Sequence, residues 1–367
     1  MVKMEKINIM GNFFGTSGYN IHTKCLANAL YTQTSEVRID STKHPNWEFN
    51  TTDAEFNMLT KDFDIEATTI MISTPPFWRF GLMQNPKKFA GWVIWEGDKI
   101  PEYWIEYLID KKVDYIFVPS NHVENAIKNT CDSLTWNKLI EPKLHIIPHG
   151  VDINKYKSFP RCDCEKFTFV CNKGWRGDGE DRGGIQYLLK AFNEEFTKEE
   201  EVQLIVKLNP AYMPQNLEVA MKNLNIENKG NIRIITDNMT VKQLCDFYNM
   251  GDVFVSTTRG EAFNIPGLEA MACGLPNIQT QFGGQMQYMT TDNSLYIPGF
   301  DLVEVKHDIQ YEGIKWLQPN INKIRKILRH AFKEQDMMKE KGEQAEKDAQ
   351  KFTWNNSAKK IIKIIKN

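Results

Sequence analysis

Two carboxylates, Glu261 and Glu269, stand eight residues apart in the run Arg259-Gly260-Glu261-Ala262-Phe263-Asn264-Ile265-Pro266-Gly267-Leu268-Glu269-Ala270-Met271-Ala272-Cys273-Gly274-Leu275-Pro276. The run DVFVSTT before them reads as a strand, and Gly274 and Pro276 after them are helix stop signals. This places Glu261 in a loop leaving a strand and Glu269 in the first turn of a short helix from about Gly267 to Cys273. Between them, Asn264 to Gly267 would present backbone N–H groups that no helical carbonyl satisfies, and such a terminus attracts an anion. An ionised carboxylate has about four acceptor sites, enough for both hydroxyls of a diol. An anion site beside two diol readers suits a nucleotide sugar. A glutamate in a first turn also complements the helix dipole, for about 0.3–1 kcal/mol, so residue type alone leaves a purely structural role open.

These groups need a scaffold, and the rest of the chain supplies one. Short apolar runs alternate with helical patterns: KINIMG (6–11), EVRID, TTIMIST, FAGWVIWE, DYIFVPS and LHIIPHG, each followed by polar or helix-periodic sequence. Their β-branched and aromatic content favours strands covered on both faces, hence a βαβ series and a mostly parallel sheet. After LHIIPHGVD, residues 154–165 are polar, basic and contain Pro160, as a linker would. A second series follows: FTFVCN, the helix GIQYLLKAFNEEF, VQLIVKLN, a helix near 214–226, NIRIITD, the helix VKQLCDFYNM and DVFVSTT. Residues 319–366 read as mostly helical, with Trp354 opening the last segment. The expected fold class is α/β: two Rossmann-like, doubly wound domains facing across a cleft, at 1–155 and 156–350, with a closing helix at 351–367 returning to the first. Ligands then belong outside the carboxyl ends of the strands.

Composition narrows the classes. The 367 residues are 41% hydrophobic and 25% charged, ordinary for globular chains and long enough for two domains. Forty-five basic against forty-seven acidic residues give a formal charge of -2, so no nucleic-acid partner is expected. Seven cysteines, an odd number spread thinly, do not form a disulfide framework and suit a reducing cytoplasm. Cys162, Cys164 and Cys171 lack a second C-x-x-C pair, and no zinc site is expected. The amino terminus lacks a signal-peptide pattern, and no run reaches the roughly 18 apolar residues of a membrane span. The basic, amphipathic tail KKIIKIIKN would touch an anionic membrane peripherally or, in the reading preferred here, pack its isoleucines on the first domain.

The stretch GEAFNIPGLEAMACGLP is similar to the E-x7-E signature of retaining glycosyltransferases of the GT-B fold, especially the group often called GT4. The likeness extends to the glycine loop after the first strand, WEGDKIPEYW, VPSNHV, IIPHGVD, the cationic cluster after FTFVCN, and FTWNNSAKKI. The resemblance implies that Glu269 holds the donor ribose and Glu261 lies by the donor sugar, with backbone of Phe263, Asn264 and Ile265. The family often places an Arg and a Lys about six residues apart on the diphosphate. Here KGWRGDGEDRGG offers Arg176 and Arg182 at that spacing, Arg replacing the usual Lys, while Lys173 is an alternative to Arg176. Fixed cations there would stabilise charge growing on the leaving diphosphate.

The loop Gly11-Asn12-Phe13-Phe14-Gly15-Thr16-Ser17-Gly18 lacks the G-x-G-x-x-G spacing of a dinucleotide fold. By resemblance, its Gly15, Ser17 and Gly18 reach the donor. Gly283-Gly284 is expected to form another close loop. Where many relatives place a His beside the donor sugar, this chain has Glu96 and Asp98 in Trp95-Glu96-Gly97-Asp98, and His149 suits a hinge better than a base. Glu96 is a catalytic candidate. Asp98, Trp95 and Trp78 are acceptor-side candidates, although core packing is the ordinary role of such aromatics. No D-x-D pair accompanies the constellation, so no cofactor or metal is expected beyond a nucleotide-sugar co-substrate such as a UDP- or GDP-sugar. The expected function is retaining, metal-independent transfer of a sugar to a hydroxyl of a glycan or lipid-linked acceptor. A sugar phosphorylase on the same fold and a non-catalytic nucleotide-sugar or glycan-binding module are the alternatives.

Overall fold

The computed structural model describes residues 5–15, 17–41, 51–160, 166–177, 180–226, 231–299, 301–306 and 308–366. The chain divides into two compact units, Met1–Gly150 with Thr353–Asn367, and Val151–Phe352.

In the first unit the strands are β1 (Ile7–Gly11), β2 (Val37–Asp40), β3 (Thr68–Ile72), β4 (Lys88–Trp92), β5 (Tyr115–Val118) and β6 (Leu144–Ile146). They form one parallel sheet in the order β2-β1-β3-β4-β5-β6. All five residues of β3 are buried, as a central parallel strand covered on both faces requires. The helices are α1 (Gly18–Gln33), α2 (Asp53–Thr60), α3 (Trp78–Leu82), α4 (Ile105–Leu108), α5 (Asn121–Thr130) and α6 (Ser133–Thr135). The run FAGWVIWE stops being a strand at Trp92, the last residue paired with both neighbours, Ile72 of β3 and Phe117 of β5.

The second unit repeats the plan. Strands β7 (Phe167–Lys173), β8 (Val202–Leu208), β9 (Ile232–Ile235), β10 (Val253–Ser256), β11 (Asn277–Thr280) and β12 (Ser294–Ile297) form a parallel sheet ordered β12-β11-β10-β7-β8-β9. Its helices are α7 (Ile185–Glu195), α8 (Leu217–Asn223), α9 (Val241–Asn249), α10 (Ile265–Ala272), α11 (Ile321–Lys333) and α12 (Gln335–Ala349). Phe169, Leu188, Phe192, Val206 and Leu328 belong to one buried cluster between this sheet and its helices. An antiparallel pair, β13 (Leu302–Glu304) and β14 (Lys315–Leu317), was not legible as strands, being three residues each.

The last helix, α13 (Trp354–Lys366), belongs to the first unit and lies on α1. Ile361 and Ile365 are buried there, Ser357 Oγ donates to the Pro148 carbonyl at 2.6 Å, and Lys88 Nζ donates to the Ile365 carbonyl at 3.2 Å. The tail isoleucines thus serve packing. Among the described residues no helix is long and apolar enough to cross a membrane.

Candidate functional site

Because β7 and β10 are neighbours, the end of β7 comes beside the loop leaving β10. Lys173, the last residue of β7, is buried and donates through Nζ to Glu261 Oε1 and to Asn264 Oδ1, both at 2.7 Å. Arg182 donates through Nη1 to the Gly260 carbonyl at 2.7 Å and lies 3.4 Å from the same Glu261 Oε1. Thr258 Oγ1 also reaches that oxygen, at 3.4 Å. Burial pushes the Glu261 carboxyl up, but Lys173 and Arg182 outweigh it and hold the group below the ordinary carboxylate range. The result is a fixed pair of cations converging on one carboxylate at the carboxyl edge of the sheet.

The loop that carries Arg182 is bolted to the strand end. Gly184 has φ 75, and a Cβ there would stand 2.0 Å from the Thr257 carbonyl oxygen. Thr257 Oγ1 donates to the Gly184 carbonyl at 2.7 Å, and the Arg259 N–H donates to the Arg182 carbonyl at 2.9 Å. Arg259, 1% exposed, donates to the Glu180 carboxylate at 2.7 Å and to the Leu317 carbonyl at 3.1 Å. Sequence reading passed over Arg259; the signal was a charged residue three positions after a buried strand. Arg176 is not brought to Glu261 by any described contact. Its side chain is exposed, and its N–H is held by the Asp181 carboxylate at 2.9 Å. β7 ends at Lys173, and Arg176 lies in the loop beyond it, next to Gly177 at φ 90. The cations gathered at this corner are therefore Lys173 and Arg182.

Asn264, at φ 67 and ψ 68, starts α10 with its side chain directed into the unit, onto Lys173 and, at 2.5 Å, onto Gln279 Oε1. Pro266 brings no N–H, and the Gly267 N–H turns back onto the Asn264 carbonyl at 3.1 Å. Backbone donors that could meet a ligand therefore lie at or before Ile265. Phe263 is buried with its ring 5.3 Å from that of Tyr288, so its backbone alone is placed for contact. Gly284 fits against this turn, since a Cβ there would stand 1.8 Å from the Ala262 carbonyl oxygen, and its N–H donates to the Glu261 carbonyl at 2.6 Å.

Glu269 corrects an expectation. The helix starts at Ile265, two residues earlier than the sequence suggested, and its first turn holds no acidic residue. Glu269 thus lies one turn further in, where the dipole explains little. It is buried, accepts from the Tyr248 hydroxyl at 2.8 Å and bonds Tyr156, and Tyr248 in turn accepts from Asn172 Nδ2 at 2.9 Å. Burial raises its pKa above the ordinary value against the pull of the tyrosines and Lys207. Tyr248 and Tyr156 were missed because nothing in their spacing links helix α9 or the residues before β7 to α10.

In the first unit, Ser17 caps α1 and shares a capping box with Asn20. Asn20 Nδ2 also donates to the Asn12 and Phe14 carbonyls, at 3.2 and 2.8 Å, so one amide organises the glycine loop. Gly15 has φ 143, whereas a Cβ on Gly18 would meet nothing within 4 Å; Thr16 lies outside the described residues. Glu96 and Asp98 sit in the loop after β4, their carbonyls accepting from His122 at 3.2 Å and Asn129 at 3.1 Å. Trp78 and Trp95 are core residues rather than ligand platforms. Trp78 is 0% exposed over Gly91, and Trp95 packs edge-on against Trp104 at 4.8 Å with its N–H on the Lys99 carbonyl. His149 is buried, and burial pushes it down to about 3, so its ring is neutral at neutral pH. Cys171 is a core residue of β7, its thiol pushed up to about 12 by burial, while Cys162 and Cys164 lie outside the described residues.

Two parallel six-stranded sheets of this kind, with a last helix returning to the first unit, define the GT-B class. The whole fold is similar to sucrose-phosphate synthase from Thermosynechococcus elongatus (TM-score 0.70, 15% identity, 99% of this chain and 98% of that one). It is also similar to Alr3699/HepE of Anabaena, solved in complex with UDP and glucose (TM-score 0.68, 13% identity, 99% and 100%). Residues 174–327 match the family described as Glycosyl transferases group 1. In sequence the chain is 25% identical over 235 residues to a probable sucrose-phosphate synthase of Thermosipho melanesiensis, covering 62% of this chain and 48% of that protein. The chain spans about half the length of the curated relatives it matches. The chain thus has the GT-B fold, and its match to the group 1 glycosyltransferase family lies within the second unit.

Proposed function

We propose that the protein is a retaining glycosyltransferase that moves a hexosyl group from a nucleotide sugar to a hydroxyl of a glycan or lipid-linked acceptor, without a metal. The observation that carries this reading is the convergence of Lys173 and Arg182 on Glu261, with Glu269 one helical turn inside α10. Lys173 and Arg182 take the donor diphosphate, and the exchange leaves Glu261 to accept hydroxyls of the sugar. Charge that builds on the bridging oxygen as the glycosidic bond breaks then meets cations already in place, with no reorganisation at that moment. Glu269 holds the ribose hydroxyls. Gly15, Ser17 and Gly18 are assigned to the donor and Glu96 and Asp98 to the acceptor side.

Calorimetric titration of the chain with UDP-, GDP- and ADP-sugars tests the reading. One of them should bind in the micromolar to millimolar range, and Glu269→Ala should weaken it by about 1.5–3 kcal/mol, the worth of hydrogen bonds to a charged group. Failure of all three to bind would remove the donor site, and unchanged affinity in Glu269→Ala would remove the ribose assignment.

A further inference from the structure

Lys207 occupies the penultimate position of β8, in register with Asn172 of β7. Side chains of paired parallel residues share a face of the sheet, and Asn172 shows which face this is, since it bonds Tyr248, which bonds Glu269. Lys207 is 7% exposed, as buried as Lys173 at 8%. The two lysines differ in their partners. Lys173 is satisfied by Glu261 and Asn264 at 2.7 Å, whereas the Lys207 ammonium makes no hydrogen bond or ion pair with any described residue. Glu269 is the charge that acts on it, from beyond ion-pair distance, and burial pushes the lysine below its ordinary pKa.

A buried lysine stem whose ammonium has no partner among the described residues is costly to order, and shorter or apolar residues would fill a strand end at lower cost. Its position relative to the other cations matters. Along the carboxyl edge the strand order is β10, β7, β8, so Lys207 lies one strand further from Glu261 than Lys173 does, on the side of Glu269. We propose that Lys207 is a ligand-binding residue whose ammonium takes an acceptor oxygen on the nucleoside portion of the donor, beside the ribose hydroxyls assigned to Glu269. This rests on the donor reading above. Two sources offer that chemistry: a ribose hydroxyl oxygen, common to all nucleotides, and a base carbonyl, which uracil and guanine have and adenine lacks.

The test is calorimetry of the full chain with UDP, GDP and ADP, for the parent, Lys207→Met and Lys207→Arg, alongside thermal unfolding of each. Lys207→Met should bind the preferred nucleotide about tenfold or more weakly, with an unfolding temperature equal to or above the parent's, because the variant removes a charge that has no partner among the described residues. Lys207→Arg should recover part of the affinity. Equal losses for every nucleotide bound place the oxygen on ribose, and losses confined to UDP and GDP place it on the base. Unchanged affinity in Lys207→Met overturns the inference, as does an affinity loss that comes with a lowered unfolding temperature, which would mark a structural lysine. If the parent binds none of the three, the donor reading itself fails and the inference falls with it.

Discussion

At the carboxyl edge of the second sheet stand Lys173, Arg182 and Glu261, with the Glu269–Tyr248 pair one helix away; near the same edge of the first sheet stand His22, Trp92 and His149 with Trp354 of α13. The His22 ring lies 4.3 Å from both Trp92 and His149 and 5.5 Å from Trp354. Both clusters are buried on parallel six-stranded scaffolds. One sets Glu261 between two cations, which hold its carboxyl below the ordinary range; the other surrounds two imidazoles with indole, so burial pushes both well below their ordinary pKa. The difference teaches that a shared scaffold does not fix chemistry. The side chains at the strand ends decide whether an edge can meet an anion or serves as aromatic packing.

The largest effects should come from the charged edge. Lys173→Met and Arg182→Ala should each lower turnover of the preferred nucleotide sugar about 100-fold or more, the usual loss when one preorganised donor to developing charge is removed. Arg176→Ala, at an exposed position, should change it by no more than about twofold. Steady-state kinetics on the three variants check this. A loss in Arg176→Ala equal to that in Lys173→Met would break the assignment of the corner to Lys173.

The aromatic edge should fail first in acid. In the unfolded chain a histidine takes up a proton near pH 6.5, but in the fold His22 and His149 resist it, so the unfolded state binds more protons and stability falls as pH drops below that point. Each imidazole held neutral contributes a slope of about 1.4 kcal/mol per pH unit. Urea unfolding followed by tryptophan fluorescence between pH 7 and 5 measures it, and replacing His22 by Phe should flatten part of the slope. An unchanged slope in that variant would mean that His22 is protonated or solvated in the fold.

How far these two edges were legible in the sequence follows from what each depends on. The parallel strands were readable because continuous β-branched and aromatic runs such as TTIMI and FTFVC have few other ways to fold. Glu261 and Glu269 stood out by their spacing and flanking residues, and the structure sets Glu261 against Lys173 and Arg182 and Glu269 against Tyr248. That Lys173, and not Arg176, contacts Glu261 was not readable, since it depends on where β7 ends, and strand ends are set by neighbouring strands. Tyr248, Asn172 and Lys207 come together around Glu269 from three different elements, and no local pattern announces such a meeting. The core positions of Trp78 and Trp95 depend likewise on Gly91 and Trp104, remote neighbours that a linear reading does not see.

The two glutamates of the charged edge should respond to pH with opposite sign. Glu261 is held below the ordinary carboxylate range, so its contribution to stability is present above the unfolded pKa and is lost as pH falls through the folded one. Glu269 is held above that range, so its contribution is greatest at low pH and is lost as pH rises through its folded pKa. Unfolding measured from pH 3 to 7 in Glu261→Gln and Glu269→Gln should therefore deviate from the parent in opposite directions. Ligand affinity adds a second readout: a ribose reader must be ionised, so nucleotide binding should weaken as pH falls into the raised range of Glu269. Deviations of the same sign would show that the two carboxylates share one environment and that the contrast between them is false.

The smallest effect on the fold sharpens the comparison from the aromatic side. Gly15 at φ 143 cannot accept a side chain, because a Cβ would stand 2.2 Å from Asn20 Oδ1; Gly18, the first residue of α1, has open space where a Cβ would go. Gly18→Ala should therefore leave stability within about 0.5 kcal/mol of the parent. If the glycine loop approaches the donor, the added methyl occupies space that the ligand uses, and nucleotide-sugar affinity should drop a few-fold while the unfolding curve stays in place. Unchanged affinity in Gly18→Ala would restrict the donor's contacts to the charged unit, and the glycines would be left with the local task of turning the chain from β1 into α1.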